Sequence, residues 1–199
     1  MIRGNRSMLE HFMYYFRADL TVQSTGNFYK DLISQLGGYT FGKGLIRFFT
    51  YDSIPDWMER VREAFPWVRQ KYRLFAFDWL GIIYGISKDW KGKETLLVFD
   101  ITDDDCICTD VSPLDWLDRY LPWKPDEFLR LDLYREWFQR TNQPLKFQDC
   151  VSLKIPLDYG GELELDNMEL CDMDVYWAVF TAFRNAKQGE KNRRKHGPM

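Results

Sequence analysis

Apolar residues recur along the chain in two periods, and the changes from one to the other mark the elements. Met8, Leu9, Phe12, Met13 and Phe16 share one helical stripe over 8–17. A polar stretch, Gln23 to Asn27, interrupts it. Phe28, Leu32, Ile33 and Leu36 then resume the 3.6 period, and Gly37-Gly38 predicts a left-handed stop. Residues 45–51 are β-branched and aromatic and read as a strand. Ser53, Pro55 and Asp56 carry the signature of a helix start, and Ile54, Trp57, Met58, Val61, Phe65 and Val68 keep its period. Strands are predicted over 73–78, 82–87 and 95–100, with a fourth over 106–110 after Asp103-Asp104-Asp105. Their connections are too short for parallel crossovers, which need about a dozen residues, so the pairing is expected to be antiparallel.

Ser112-Pro113-x-Asp115 opens another helix, with Leu114, Leu117 and Leu121 along one face. A second is predicted from Pro125 to Arg140. The chain then extends over 151–156, turns at Gly160-Gly161 and ends in a helix capped by Asp172 or Asp174. Val175, Tyr176, Val179, Phe180 and Phe183 are its expected buried stripe. Strands gather in the middle and helices at both ends. That order predicts an α+β fold with a central, mainly antiparallel sheet flanked by helices.

Composition narrows the picture. The 199 residues are 45% hydrophobic and 29% charged, the balance of a globular chain, but 17% are aromatic and eight are Trp, which calls for a dense core or a large sticky face. Trp57, Trp137 and Trp177 fall on helical apolar stripes and are expected in the core. No run of about 18 apolar residues occurs, so no membrane-spanning helix is expected. No export signal is legible either, so the protein is expected in the cytoplasm with its four cysteines reduced. The net charge of −3 is uneven. The last thirteen residues hold five basic side chains against Glu190, leaving 22 basic and 29 acidic elsewhere. Residues 187–199 therefore read as a disordered basic tail, behind a body that repels nucleic acid and attracts basic proteins.

Two acidic clusters carry the candidate chemistry. One holds Asp100, Asp103, Asp104, Asp105, Asp110, Asp115 and Asp118; the other holds Asp158, Glu162, Glu164, Asp166, Glu169, Asp172 and Asp174. Carboxylates could serve a metal-dependent hydrolase, but neither run has calcium-loop spacing, and no Lys or Arg lies between Ile155 and Phe183 to hold a phosphate. Nucleophile-elbow and P-loop patterns are absent, and Gly42-x-Gly44 lacks the third glycine of a dinucleotide fingerprint. The plain alternative makes several of the acids helix caps and the rest a solvated face. The remaining reading is a negative surface that captures a basic partner.

The segment 155–177 adds a resemblance. Ile155-Pro156-Leu157, Gly160-Gly161, Asn167-Met168-Glu169-Leu170 and Asp172-Met173-Asp174-Val175-Tyr176-Trp177 resemble the C-terminal motif of the GAD-like, Tdi-type immunity proteins of bacterial type VI secretion. Gly42-Lys43-Gly44-Leu45 is similar to an earlier family element, whereas Tyr51-Asp52-Ser53 replaces the family's Asn-Pro-Asp. The likeness covers about residues 28–185. It implies an α+β fold akin to the SUKH immunity superfamily and a division into an N-terminal helical extension (1–27), a core (28–121), a helical segment packed on that core (122–186) and the tail. It further implies a cytoplasmic, non-enzymatic protein that needs no cofactor and no metal. Such a protein would bind a cognate toxin with a basic surface and block it by stoichiometric occlusion, the toxin in the known pairs being a DNase. Asp103, Asp104, Asp105, Asp158, Glu162, Glu164 and Asp166 are then the toxin-binding candidates, taking the places of phosphates, while Gly160, Gly161, Asn167, Glu169, Asp172, Tyr176 and Trp177 form the structural motif. No membrane and no direct nucleic-acid binding are expected. A non-catalytic scaffold or regulator with the same fold, or less favourably a carboxylate-metal hydrolase, are the alternatives.

Overall fold

A computed structural model describes residues 6–103 and 105–195. Its centre is a six-stranded antiparallel meander in which sequence order is spatial order: β3 (Thr40–Phe41), β4 (Ile46–Phe48), β5 (Tyr72–Asp78), β6 (Ile83–Lys88), β7 (Glu94–Asp100) and β8 (Asp105–Cys108). The fold is α+β, a sheet covered by helices on both faces. On one face Phe48, Phe75 and Tyr84 meet Phe12 and Trp116. On the other, Phe49, Phe77 and Phe99 meet Trp57, Phe65 and, through them, Trp177. Burial on both faces is why β5 and β6 read as a nearly continuous apolar run rather than an alternation.

The first face is covered by α1 (Glu10–Tyr15) and α2 (Phe28–Leu36), and a small ladder of β1 (Arg6–Met8) with β2 (Val22–Ser24) lies beside them. Leu9, Phe12, Met13 and Val22 are buried in the same core as the sheet, so residues 6–27 are more than a helical extension, while 1–5 of that expected segment lie outside the described residues. The cap of α1 comes from afar: Asp118 accepts from the backbone N–H groups of His11 (2.9 Å) and Phe12 (3.3 Å). After α2 it is Gly38, with φ of 85°, that takes the left-handed turn, while Gly37 stays at φ −55°.

The second face is covered by α3 (Ile54–Ala64) and α8 (Met173–Lys195). Ser53 precedes α3 without capping it, because its hydroxyl is engaged by Thr50. Ser112 does cap, accepting from the N–H of Asp115 at 3.1 Å. The helix it starts, α4 (Pro113–Asp115), widens into a π turn over Trp116–Tyr120 before α5 (Leu121–Trp123). Pro122 lacks an N–H, and the wide turn absorbs the missing bond. Trp116, not Leu114, joins Leu117 and Leu121 in the core.

The helix predicted over 125–140 is two, α6 (Pro125–Leu129) and α7 (Leu131–Thr141), broken at Arg130 with φ of 47°. Trp79 Nε1 donates to the Leu129 carbonyl at 2.7 Å and withdraws it from the helical ladder. The extended segment is β9 (Asp149–Leu153), and it has a partner that the periodicity missed, β10 (Met168–Asp172), with Cys150 opposite Cys171 as free thiols. Helix α8 runs on through Lys195, so residues 187–195 are not the disordered tail that their composition predicts. Lys, Arg, Gln and Glu are good helix formers, and the helix has already been nucleated by its packed first half. Residues 196–199 of that tail lie outside the described residues. Among the described residues no helix is long and apolar enough to cross a membrane.

Two buried ionic groups fasten the later elements to the sheet. The Arg47 guanidinium donates to the carbonyls of Lys146 (2.9 Å), Phe147 (3.3 Å) and Asp149, and to that of Asp78 at 2.8 Å. Burial pulls its pKa down to about 10. Asp78 closes the β5–β6 turn, accepting from the N–H groups of Leu80 (2.9 Å) and Ile82 (3.0 Å) and from the Tyr84 hydroxyl (2.9 Å). That turn is also the anchor for β9, through Val151 N–H to Trp79 carbonyl (2.7 Å), and for α8, through Trp177 Nε1 to Gly81 carbonyl (2.9 Å).

Candidate functional site

The segment 154–172 is built around one asparagine. Asn167 is buried; its amide donates to the carbonyls of Ile155 (2.8 Å) and Glu162 (2.9 Å), and its oxygen accepts from Ile155 N–H (2.8 Å). The loop closes so tightly on Ile155 that a Cβ on Gly161 would overlap that residue's carbonyl, while Gly160, with φ of 87°, faces open space. These contacts account for Gly160, Gly161 and Asn167 as architecture. Asp172 is the cap of α8, its Oδ1 accepting from Asp174 N–H (2.9 Å) and Val175 N–H (3.2 Å). Tyr176 and Trp177 are buried, Tyr176 sharing a 2.7 Å hydroxyl bond with Thr102. Glu169 is exposed on β10, where its carbonyl is 3.5 Å from the Ser152 hydroxyl.

The loop built in this way reaches α8 at one point, the ring of Tyr159 lying 5.7 Å from that of Phe183. The 101–105 turn reaches the same helix at Tyr176. Phe180 bridges the two, with ring separations of 4.5 Å to Tyr176 and 6.4 Å to Phe183. Seven residues of helix span about 10 Å, so two acidic segments more than 50 positions apart in sequence flank one short stretch of α8. Asp103 is exposed in the first turn and Asp105 at the start of β8; Glu162, Glu164 and Asp166 are exposed in the second segment. Asp104 lies outside the described residues. Asp158 lies in the 3₁₀ turn Leu157–Tyr159, but its side chain is likewise outside what is described.

The acids are not equivalent. Asp166 is held by Arg140 at 2.6 Å, and Asp174 by both nitrogens of the Arg60 fork at 2.6 and 2.7 Å. Asp103, Asp105, Glu162 and Glu164 make no ion pair among the described residues. Asp100 is architectural: it accepts from Thr102 N–H at 2.9 Å, and burial raises its pKa, with Asp103 adding to the effect. Between α3 and the start of α8 the fold adds a groove of about 610 Å³. Asp56, Glu59, Glu63, Asp172 and Asp174 line it, with Arg60 as its one lining cation. Of these, Glu59 and Glu63 were not singled out by the sequence.

The apolar part of the surface corrects the expected stripe. Val175, Val179 and Phe183 are 53%, 43% and 45% exposed, and Tyr159 is 56% exposed. The buried face of α8 is instead Met173, Tyr176, Trp177, Phe180 and Arg184. With Ala178, Ala182 and Ala186, the exposed residues form a second ridge at i, i+3, i+4 and i+7, about 16 Å long, which among the described residues stays largely open, the Tyr159 ring alongside Phe183. The sequence held a signal for this. Apolar residues at 175, 176, 177, 179, 180 and 183 are too widely spread around a helix to face a single core. The site is thus an exposed apolar ridge on a helix that both acidic segments touch, one at Tyr176 and the other at Phe183. Among the described residues no group of three or more carboxylate, imidazole or thiol side chains is placed to hold a metal ion.

No family model and no curated protein matches the chain. Among solved structures, the crystal structure of Atu4351 from Agrobacterium tumefaciens is similar, with a TM-score of 0.56 and 16% identity over 90% of this chain and 83% of that one. At that identity the likeness speaks to the fold alone.

Proposed function

We propose that the protein is an immunity protein that binds a secreted bacterial toxin, a nuclease effector of type VI secretion, in the cytoplasm of the cell that carries both, and blocks it by occlusion without turnover. The observation that carries this reading is the exposed ridge Val175–Val179–Phe183, on a helix touched by two segments whose Asp103, Asp105, Glu162 and Glu164 make no ion pair among the described residues. An apolar centre with a charged rim is the anatomy of a protein interface, and the negative rim fits a groove evolved to hold phosphates. The motif in 155–177 supports the same reading, as does the α+β fold.

The test is co-purification with the product of the neighbouring gene, followed by titration of that toxin's activity. A 1:1 complex that abolishes activity is expected. E162K/E164K should weaken binding and flatten its salt dependence, while Val179→Arg should slow or abolish stable association. Asp166 is the poorer probe, because its reversal also breaks the Arg140 pair. A neighbouring product that is not toxic, or one that binds these variants as tightly as the parent, rejects the proposal.

A further inference from the structure

A second surface of opposite charge lies where α3 ends and β5 and β6 run out of the sheet. There a groove of about 850 Å³ is lined by Arg62, Arg69, Lys71, Arg73 and Lys88, and by no Asp or Glu. The fold assembles it from three places. Arg62 comes from the last turn of α3, Arg69 and Lys71 from the 66–71 loop, and Arg73 and Lys88 from adjacent strands whose Arg73–Ile86 and Tyr72–Ser87 register brings their ends together. Among the described residues, Arg73 is the one of the five cations with an ion pair, to Glu94 at 3.0 Å. Lys88 stands cross-strand from that same Glu94, which leaves Arg62, Arg69 and Lys71 as the lining cations with no carboxylate paired to them among the described residues, in a chain whose net charge is negative. Met58, Phe65 and Val68 supply an apolar wall. Tyr72 also lines the groove; its hydroxyl is out of solvent and has no hydrogen-bond partner among the described residues.

We propose that this groove binds a small polyanion that carries two or more phosphoryl groups on an aromatic body, the chemical class being the nucleoside di- and triphosphates. Three uncompensated cations, with Arg73 and Lys88 sharing one carboxylate beside them, match a ligand of three to four negative charges, and the volume falls within the range of about 300–1,000 Å³ usual for small-molecule sites. The C-terminal dipole of α3 opposes an anion here, but it is a partial charge confined to the last turn and is outweighed by the full charges lining the groove. A nucleic acid duplex is the weaker fit, since it needs a basic track along its length, whereas here the cations are confined to one groove. This inference stands apart from the immunity reading and does not use the α8 ridge.

Calorimetric titration of the full chain with ATP, inorganic triphosphate and a short DNA duplex tests it. ATP is expected to bind 1:1, at least threefold tighter than inorganic triphosphate, and more weakly as salt rises from about 50 to 300 mM. R69E/K71E, on an exposed loop, should weaken ATP about tenfold or more with an unchanged melting temperature. Lys30→Glu, an exposed position on α2, should change nothing. Absence of ATP binding, binding indifferent to the charge reversals, or a duplex that binds more tightly than ATP would each overturn the proposal. Equal affinity for inorganic triphosphate would overturn its aromatic part.

Discussion

Replacing Asp78 by Asn should stabilise this protein at neutral pH and leave it nearly unchanged in acid. The carboxyl is fully buried, and burial raises its pKa from 3.8 to about 7, against the opposing pull of the Tyr84 hydroxyl and the Ile82 and Leu80 N–H groups. An acid with a raised folded pKa costs stability when it must ionise. Below pH 3.8 both the folded and the unfolded chain hold the proton, and the penalty is absent. Between about 4 and 7 the unfolded chain releases it first, so stability falls with rising pH at up to about 1.4 kcal/mol per pH unit. Above 7 the accumulated penalty levels off at about 4 kcal/mol, an upper bound for a group with three donors around it. Asparagine keeps the geometry: its oxygen accepts from Leu80 and Ile82, its amide donates to the Tyr84 oxygen, and Tyr84 keeps the Phe128 carbonyl at 3.4 Å as its acceptor.

Urea unfolding followed by tryptophan fluorescence at pH 5 and pH 8 is the assay, since Trp79, Trp116 and Trp177 are all buried. D78N should exceed the parent by about 2–4 kcal/mol at pH 8 and by much less at pH 5. D78A strips the Leu80 and Ile82 N–H groups of their acceptor, at about 1–3 kcal/mol each, and should cost roughly 2–6 kcal/mol at pH 5. The comparison removes the background titration of other carboxylates, which both proteins share. If D78N is no more stable than the parent at pH 8, or the two have parallel pH profiles, burial does not dominate at Asp78 and the reasoning fails.

Other outcomes follow from the same contacts. R47M should lose about 3–5 kcal/mol in the same assay, because it leaves carbonyls of the 146–149 turn without their donor; a loss under about 1 kcal/mol would show that water replaces the guanidinium. G160A should cost about 1 kcal/mol, from its positive φ alone, and G161A considerably more, since its Cβ meets the Ile155 backbone; thermal melts that rank them in the reverse order contradict the loop geometry. A double-mutant cycle of T102V and Y176F should return a coupling of about 1 kcal/mol from their 2.7 Å bond, and zero coupling would mean that the two hydroxyls are satisfied separately.

The kinds of elements and their approximate places were legible in the sequence because local physics sets them. Asn27 caps α2 by accepting from Lys30 N–H, and Ser112 and Asp172 cap their helices, all through groups within three residues. The short loops between strands leave a meander as the simplest antiparallel solution. What local periodicity could not reach was decided by contacts across long separations. β10, written in the acidic letters Met-Glu-Leu-Cys-Asp, is a strand only because β9 is there to pair with it. The break at Arg130 depends on a Trp79 fifty residues away. Asp78 looks like an interruption of an apolar run, and is instead the group that the surrounding donors fold around. The same holds for the surface. Periodicity identified Val175, Val179 and Phe183 as apolar, but which arc of α8 meets the core depends on Trp177 reaching the Gly81 carbonyl and Asp174 reaching Arg60. Those two anchors rotate the helix so that one apolar ridge is buried and the other faces water between the acidic turns.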